Sequence, residues 1–369
     1  MKKLLSAAFL AAICAAQTPA LADDHNDDRD DGRKTSIAVF GDWPYSQMLL
    51  DNGKLLIDSI NNDADVSLVL HVGDIHSGSM PCTSAGILPP ISTSNPGWNQ
   101  SVFSVFQQLR APVVYTPGDN EWTDCHKSKE KSAGDPLKEL ASVRGLFFSK
   151  PGRTLGLTEK QVLTQAQNFD PNYPTDAQYV ENVMWRQNAV VFVTVNMPGS
   201  NNDGLPWSTF ENLSARSTES ANRTGAAMRW LKAAFDAAAK SHARGVVIGL
   251  QADMWDPAQL VAGGDGLNGY TDFVKTLASL SISFGRPVLL INGDSHLYGS
   301  DQPLADPSSA TGQIHHAPAV SNLTRITVQG STNAPGEWLK LTIDPNSRNV
   351  FSWKNVPYCA NPASSTSCQ

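Results

Sequence analysis

The sequence predicts an α/β fold, and three observations carry that prediction. Apolar runs of β type alternate with helical stretches from about residue 35 onward. Four of those runs end abruptly on Gly-Asp, in IAVFGDW (37–43), LVLHVGDIHSG (68–78), VVYTPGDNEW (113–122) and VLLINGDSH (288–296). After the N-terminal segment, no stretch approaches the roughly 18 apolar residues that span a bilayer.

The elements follow in order. Lys2-Lys3, the apolar stretch from Leu4 to Ala16 and the small-residue end Ala20-Leu21-Ala22 read as a secretory signal peptide over 1–22, cleaved near Ala22, which places the protein in the periplasm or outside the cell. Cys14 lies inside it, preceded by Ile13 where a lipoprotein signal needs a small residue, so no lipid anchor is expected. Residues 23–34, DDHNDDRDDGRK, read as a disordered acidic arm. The folded domain is expected over 35–356, with strands at 36–41, 67–73 and 112–117 and helices near 47–62 and 99–110.

The polar stretch 124–188 reads as an insertion with helices near 136–148 and 158–168. A strand at 189–196 follows, then a helix at 226–243 with Met228, Leu231, Phe235 and Ala239 on one face. Strands at 245–250 and 287–292 bracket a helix near 269–281. LTRITVQ, EWLKLTID and NVFSWKN read as antiparallel strands, and 357–369 as a C-terminal tail.

The formal net charge of −7, without any Lys/Arg-rich block, argues against a nucleic-acid surface and for a small partner. Signal removal leaves Cys82, Cys125, Cys359 and Cys368, an even number in a compartment that permits disulfides. The expected pairs are Cys82 with Cys125, each just beyond a Gly-Asp end, and Cys359 with Cys368. The sequence leaves the oligomeric state open.

In open α/β sheets, ligands collect outside the carboxyl ends of the strands, where these aspartates fall. Aspartate supplies a hard anionic oxygen suited to a divalent cation, and several carboxylates in one crevice repel unless a cation neutralises them. The set resembles the calcineurin-like metallophosphoesterases, with the purple acid phosphatase branch offering the nearest pattern. That family strings its ligands on strand ends as D-x-H or G-D-x-G, then G-D-x-x, G-N-H-E/D, a lone His and G-H-x-H. The matching places here are GDW (41–43), GDIH (73–76), GDNE (118–121), GLQAD (249–253) and GDSH (293–296), and the resemblance covers residues 35 to 343.

The resemblance implies a four-layer αββα sandwich, two mixed β-sheets flanked by helices, holding two divalent metal ions. Asp42, Asp74 and His296 would hold one ion, and Asp74 would bridge to a second held by Asp119, Gln251 and Asp294. The departures are specific: Asn120 stands in place of the family's catalytic His, Gln251 in place of the lone His, Asp294 in place of the first His of G-H-x-H, and Pro44 where D-x-H has its His. The oxygen-rich second site suits Mn, Mg or Ca, while the His296 site accepts Mn, Fe or Zn. His76 or Tyr45 are candidates for the vacancy at the first ion, and Asp253 or Asp256 are alternatives to Gln251.

The implied activity is hydrolysis of small phosphate esters, with the ion pair supplying a bridging hydroxide. Asn120 can hold a phosphate oxygen but cannot donate a proton as a general acid, which leaves His76, His126 or a metal-bound water. Glu121 either orients Asn120 or a water, or satisfies backbone donors. Trp43 and Trp122 are candidate walls for a leaving group, Lys127, Lys129 and Arg244 candidate phosphate ligands, and His315-His316 a pair able to overhang the site. The alternative reading is a catalytically silent fold that keeps metal and acts as a binding module.

Overall fold

The computed structural model describes residues 33–82, 97–127 and 134–363 of the 369-residue chain. The expected signal peptide, residues 23–32 of the acidic arm, Lys129 and the Cys359–Cys368 pairing, through Cys368, fall outside those residues.

Twelve strands among the described residues build two mixed sheets. The first contains β1 (Thr35–Phe40), β2 (Val66–His71), β3 (Val113–Tyr115), β11 (Glu337–Ile343) and β12 (Phe351–Pro357), in the order β12-β11-β1-β2-β3. The second contains β4 (Leu163–Thr164), β5 (Val183–Gln187), β6 (Val190–Thr194), β7 (Gly245–Gly249), β8 (Val288–Asn292), β9 (Gly299–Asp301) and β10 (Leu323–Thr327), in the order β4-β5-β6-β7-β8-β10-β9. β1, β2 and β3 run parallel, as do β6, β7, β8 and β10.

Side-chain alternation along the strands explains how the sheets stack. Ile37 and Val39 of β1 and Leu68 and Leu70 of β2 meet Val247 of β7 and Leu289 and Ile291 of β8 in one apolar layer between the sheets. The intervening Ala38, Phe40 and Val69 face the other way, onto helices Gly53–Asn61, Trp98–Phe106 and Pro136–Phe147. Val246 and Ile248 of β7 likewise pack outward, against helices Leu213–Lys240 and Thr271–Phe284. Strands buried on both faces read as the continuous apolar runs seen in the sequence.

Four expectations are corrected. The stretch 158–168 forms β4 and a short 3₁₀ turn rather than a helix, because Leu163 and Thr164 pair with Met184 and Val183 of β5 and tertiary pairing outweighs local propensity. The end of the expected insertion thus supplies sheet edge. Helix 47–62 is broken at Asn52 into Gln47–Asp51 and Gly53–Asn61. The helix expected from 226 starts at Leu213, where the Asn212 side chain accepts from Ala215 N. LTRITVQ does not join the last two strands: β10 pairs parallel to β8 in the second sheet, while β11 and β12 pair in the first.

Cys82 is bonded to Cys125, joining the segments that follow β2 and β3 across a sequence separation of 43. Its sulfurs lie 3.5 and 3.7 Å from the Asn120 carbonyl oxygen, so the bridge braces the GDNE turn. The double variant Cys82→Ser/Cys125→Ser is expected to lose about 2–4 kcal/mol of stability. A denaturant midpoint equal to that of the native chain would show that the bridge constrains nothing. Among the described residues no helix is long and apolar enough to cross a membrane.

Candidate metal centre

The Gly-Asp turns converge where the two sheets present the carboxyl ends of their parallel strands. Trp43 N donates to the Asp74 carbonyl at 3.0 Å, Asp42 N to the Gly73 carbonyl at 2.9 Å, and Asp294 N to Asp42 Oδ1 at 3.1 Å, so the turns after β1, β2 and β8 are tied together. Asp42, Asp74, Asp294 and His296 all lie in the left-handed region, with φ of 49°, 61°, 74° and 64°. Strained backbone of this kind concentrates at functional sites. Two of the Gly-Asp glycines have a steric reason: a Cβ on Gly118, before Asp119, would stand 2.0 Å from Asp74 Oδ1, and one on Gly293, before Asp294, 2.5 Å from Asp42 Oδ2.

Asp42, Asp74 and His296 each offer one ligand atom within 4.8 Å of the others. Asp42 is fully buried and its Oδ2 has no hydrogen-bond partner among the described residues, which a cation would remedy. The donor set of two carboxylates and an imidazole fits a divalent ion. Tyr45 stands among the three: its hydroxyl lies 2.8 Å from Asp74 Oδ2, 3.1 Å from Asp42 Oδ1 and 3.2 Å from His296 Nε2.

Electrostatics point the same way. Burial pushes the Asp42 carboxyl up to about 7. Burial, then the charge of Asp119, holds Asp74 and Asp294 well above the usual carboxylate range. Burial also lifts Glu121 to about 7. Its Oε1 accepts from Gly118 N, Asp74 N and the Tyr115 hydroxyl, so Glu121 satisfies backbone donors.

The second expected group is arranged differently. Asp119 Oδ2 and Asp294 Oδ1 both reach the space beside Gly199, 2.6 and 2.8 Å from where a Cβ would sit. Gln251 turns its oxygen to Gly199 N and donates from Nε2 to Asp119 Oδ1 at 3.0 Å, so it orients Asp119 instead of presenting an oxygen to the crevice. Gly199→Ala is expected to weaken divalent-cation binding about tenfold or more by displacing the two carboxylates. Calorimetric titration with Mn²⁺ reads this directly, and an unchanged affinity would detach Gly199 from the site.

A cavity of about 190 Å³ opens over these groups, lined by Asp74, Asp119, Asn120, Lys127, Asp294 and His296 among others. Asn120 Nδ2 donates to Asp74 Oδ2 at 2.9 Å and to the Tyr45 hydroxyl at 3.1 Å, so its amide holds the carboxylate. Neither predicted acid lines the cavity. His76 is buried, with Nδ1 on the Ser77 carbonyl and burial lowering its pKa to about 4. His126 Nδ1 pairs with Ser208 Oγ at 3.0 Å.

The remaining candidates lie elsewhere or are already engaged. Trp43 and Trp122 are core residues. Arg244 binds the Ser347 carbonyl just before β7 begins, at the opposite end of that strand from Gln251. His315 is buried on the Met254 carbonyl. Asp253 lines the cavity, but its carboxylate is engaged by Arg325 and Ser295, and Asp256 caps a surface turn at Ala258 N.

Sequence reasoning missed Ser200. Residues 200–203 form a left-handed turn, with φ between 53° and 60°. There Ser200 Oγ lies 3.0 Å from Asp119 Oδ2 and 2.6 Å from Asp124 Oδ1, both within reach of its one O–H. The signal was present in NMPGSNNDG (196–204), a strand end followed by Gly, Ser, Asn and Asp, the residues that tolerate such turns.

No family model matches the chain, and no curated protein matches it. Among solved structures, one described as GAP50, the anchor in the inner membrane complex of Plasmodium, is similar at a TM-score of 0.43 and 11% identity, over 88% of this chain and 89% of that one.

Proposed function

We propose that the protein is an exported, metal-dependent phosphoesterase of the calcineurin-like type that hydrolyses small phosphate esters. The single observation that carries this reading is the convergence of Asp42, Asp74 and His296 from three strand ends, with an unpartnered buried carboxylate oxygen among them. Two stacked mixed sheets with helices outside and ligands on strand ends are what that family's architecture requires. The Cys82–Cys125 bridge supports an oxidising compartment.

Asp42, Asp74 and His296 would hold one divalent ion, and Asp119 and Asp294, with Asp74, a second of the hard Mn, Mg or Ca type. Bound there, the ions supply an activated water and charge neutralisation for a phosphoryl group. The chain's own residues do the rest. Glu121 and Asn120 fix Asp74, Gln251 and Ser200 fix Asp119, and the cavity accommodates a small ester.

The test is hydrolysis of a phosphomonoester and a phosphodiester by the metal-stripped protein, resupplied in turn with Ca²⁺, Mg²⁺, Mn²⁺ and Zn²⁺. Cation-dependent turnover supports the reading. A folded protein that binds cations but turns over neither ester favours the second reading, a silent metal-binding module. One observation speaks for that module: Asn120 is committed to Asp74, and His76 and His126 stand off the cavity.

A further inference from the structure

We propose that Lys127 is the ester-binding cation of the cavity, its ammonium receiving an anionic phosphate oxygen in exchange for Asp265. The inference rests on the phosphoesterase reading and adds the residue that recognises the substrate's charge. Lys127 is the one Lys or Arg among the described residues lining the cavity, whose remaining charged groups include Asp74, Asp119, Asp124, Asp253 and Asp294. An anion entering so acidic a space needs a positive contact, and a lysine serves phosphate as a point charge.

The contacts show how the exchange is arranged. Lys127 Nζ donates to Ser200 Oγ at 2.8 Å, pairs with Asp124 Oδ2 at 2.8 Å, and reaches Asp265 Oδ2 at 3.4 Å. An ammonium has three donors, so a phosphate oxygen must displace one partner. Asp265 is the one to leave. Its contact is the longest, its side chain is 30% exposed against 2% for Asp124, and it sits between Gly264 and Gly266.

The other two partners are held firmly. Ser200 is carried by the left-handed turn over residues 200–203. Arg223, fully buried, secures that turn through the Asn202 side chain and carbonyl while pairing with Glu219 and lying over the Trp122 ring. Burial works against charge on Lys127, but Asp124, Asp119 and Asp265 outweigh it and hold its pKa above the ordinary lysine value, so the ammonium persists throughout the neutral range.

Inorganic phosphate titrated calorimetrically into the Mn²⁺-loaded protein tests this, alongside the KM for p-nitrophenyl phosphate. Lys127→Ala is expected to weaken phosphate binding about ten- to a hundredfold, the worth of one charge-assisted hydrogen bond, with Mn²⁺ affinity not reduced. Lys127→Arg should retain most of the binding, and Asp265→Asn should tighten it. The proposal is overturned if Lys127→Ala binds phosphate like the native chain, or if it loses Mn²⁺ affinity in parallel, which would make Lys127 a prop for the carboxylates. Lys127-dependent phosphate binding without turnover would sink the phosphoesterase reading alone. Turnover with KM and phosphate affinity insensitive to Lys127 would sink this inference alone, and a native chain that neither binds phosphate nor turns over the ester would sink both.

Discussion

Asp74→Asn should abolish cation-dependent ester hydrolysis, lowering turnover by at least about 10²–10³-fold, while leaving the protein folded. Asp74 is the carboxylate on which the site closes. Its Oδ2 accepts from Tyr45 and Asn120 Nδ2, and its Oδ1 accepts from Asn120 N at 3.2 Å. An amide there places an NH₂ against one of those donors and removes the negative charge that a cation needs. Asparagine tolerates the φ of 61°, so the backbone has no reason to move. The variant also relieves repulsion, because Asp74 is buried among Asp119, Glu121, Asp42 and Asp294. The metal-free variant should therefore melt at or above the native metal-free protein, while the native protein alone gains stability from cation. A variant that melts well below native without metal would make Asp74 a structural residue, and one that keeps turnover would remove it from the site.

How much of this was legible in the sequence depends on how local each signal was. Asp42, Asp74, Asp294 and His296 were readable because the device that places them is a strand end and a glycine within a few residues. The strands were readable as apolar runs, but which residues face the other sheet was not, because β1 and β8 are buried on both faces. β10 was misplaced because LTRIT alternates acceptably beside either sheet, and its partner β8 lies some thirty residues upstream. The helix expected at 158–168 failed because Leu163 and Thr164 are claimed by β5.

Gln251 illustrates the same limit inside the site. Which end of its amide faces Asp119 is decided by Gly199 N, a donor from a different loop, and no motif spacing encodes that. Ser200 was only half legible: the Gly-Ser-Asn-Asp run marks a turn, but its anchoring by Arg223, more than twenty positions later, is not encoded locally. The sequence thus specified the acidic residues and His296 at the strand ends. It concealed the neighbours that decide their orientation.

Those buried carboxylates set the remaining expected result, a metal-free protein whose stability falls as pH rises. Burial raises the Asp42 carboxyl from its ordinary 3.8 to about 7, so between those values the folded state binds more protons than the unfolded chain. Stability then declines as pH climbs through that window, the reverse of an ion-paired aspartate. The Asp42 shift corresponds to a loss on the order of 4 kcal/mol, and Asp74 and Asp294, raised by the same burial, act in the same direction. Divalent cation should cancel the decline, since it replaces the bound protons and stabilises by about 2.7 kcal/mol at a hundredfold excess over its Kd. Melting temperatures of the stripped protein at pH 5 to 8, with and without Mn²⁺, read both effects. The stripped curve should fall across the window and the Mn²⁺ curve should separate from it increasingly toward pH 8. A stripped protein whose melting temperature is flat or rises with pH would mean that the carboxylates are not held unneutralised in the fold, and the case for a cation at Asp42, Asp74 and His296 would fall with them.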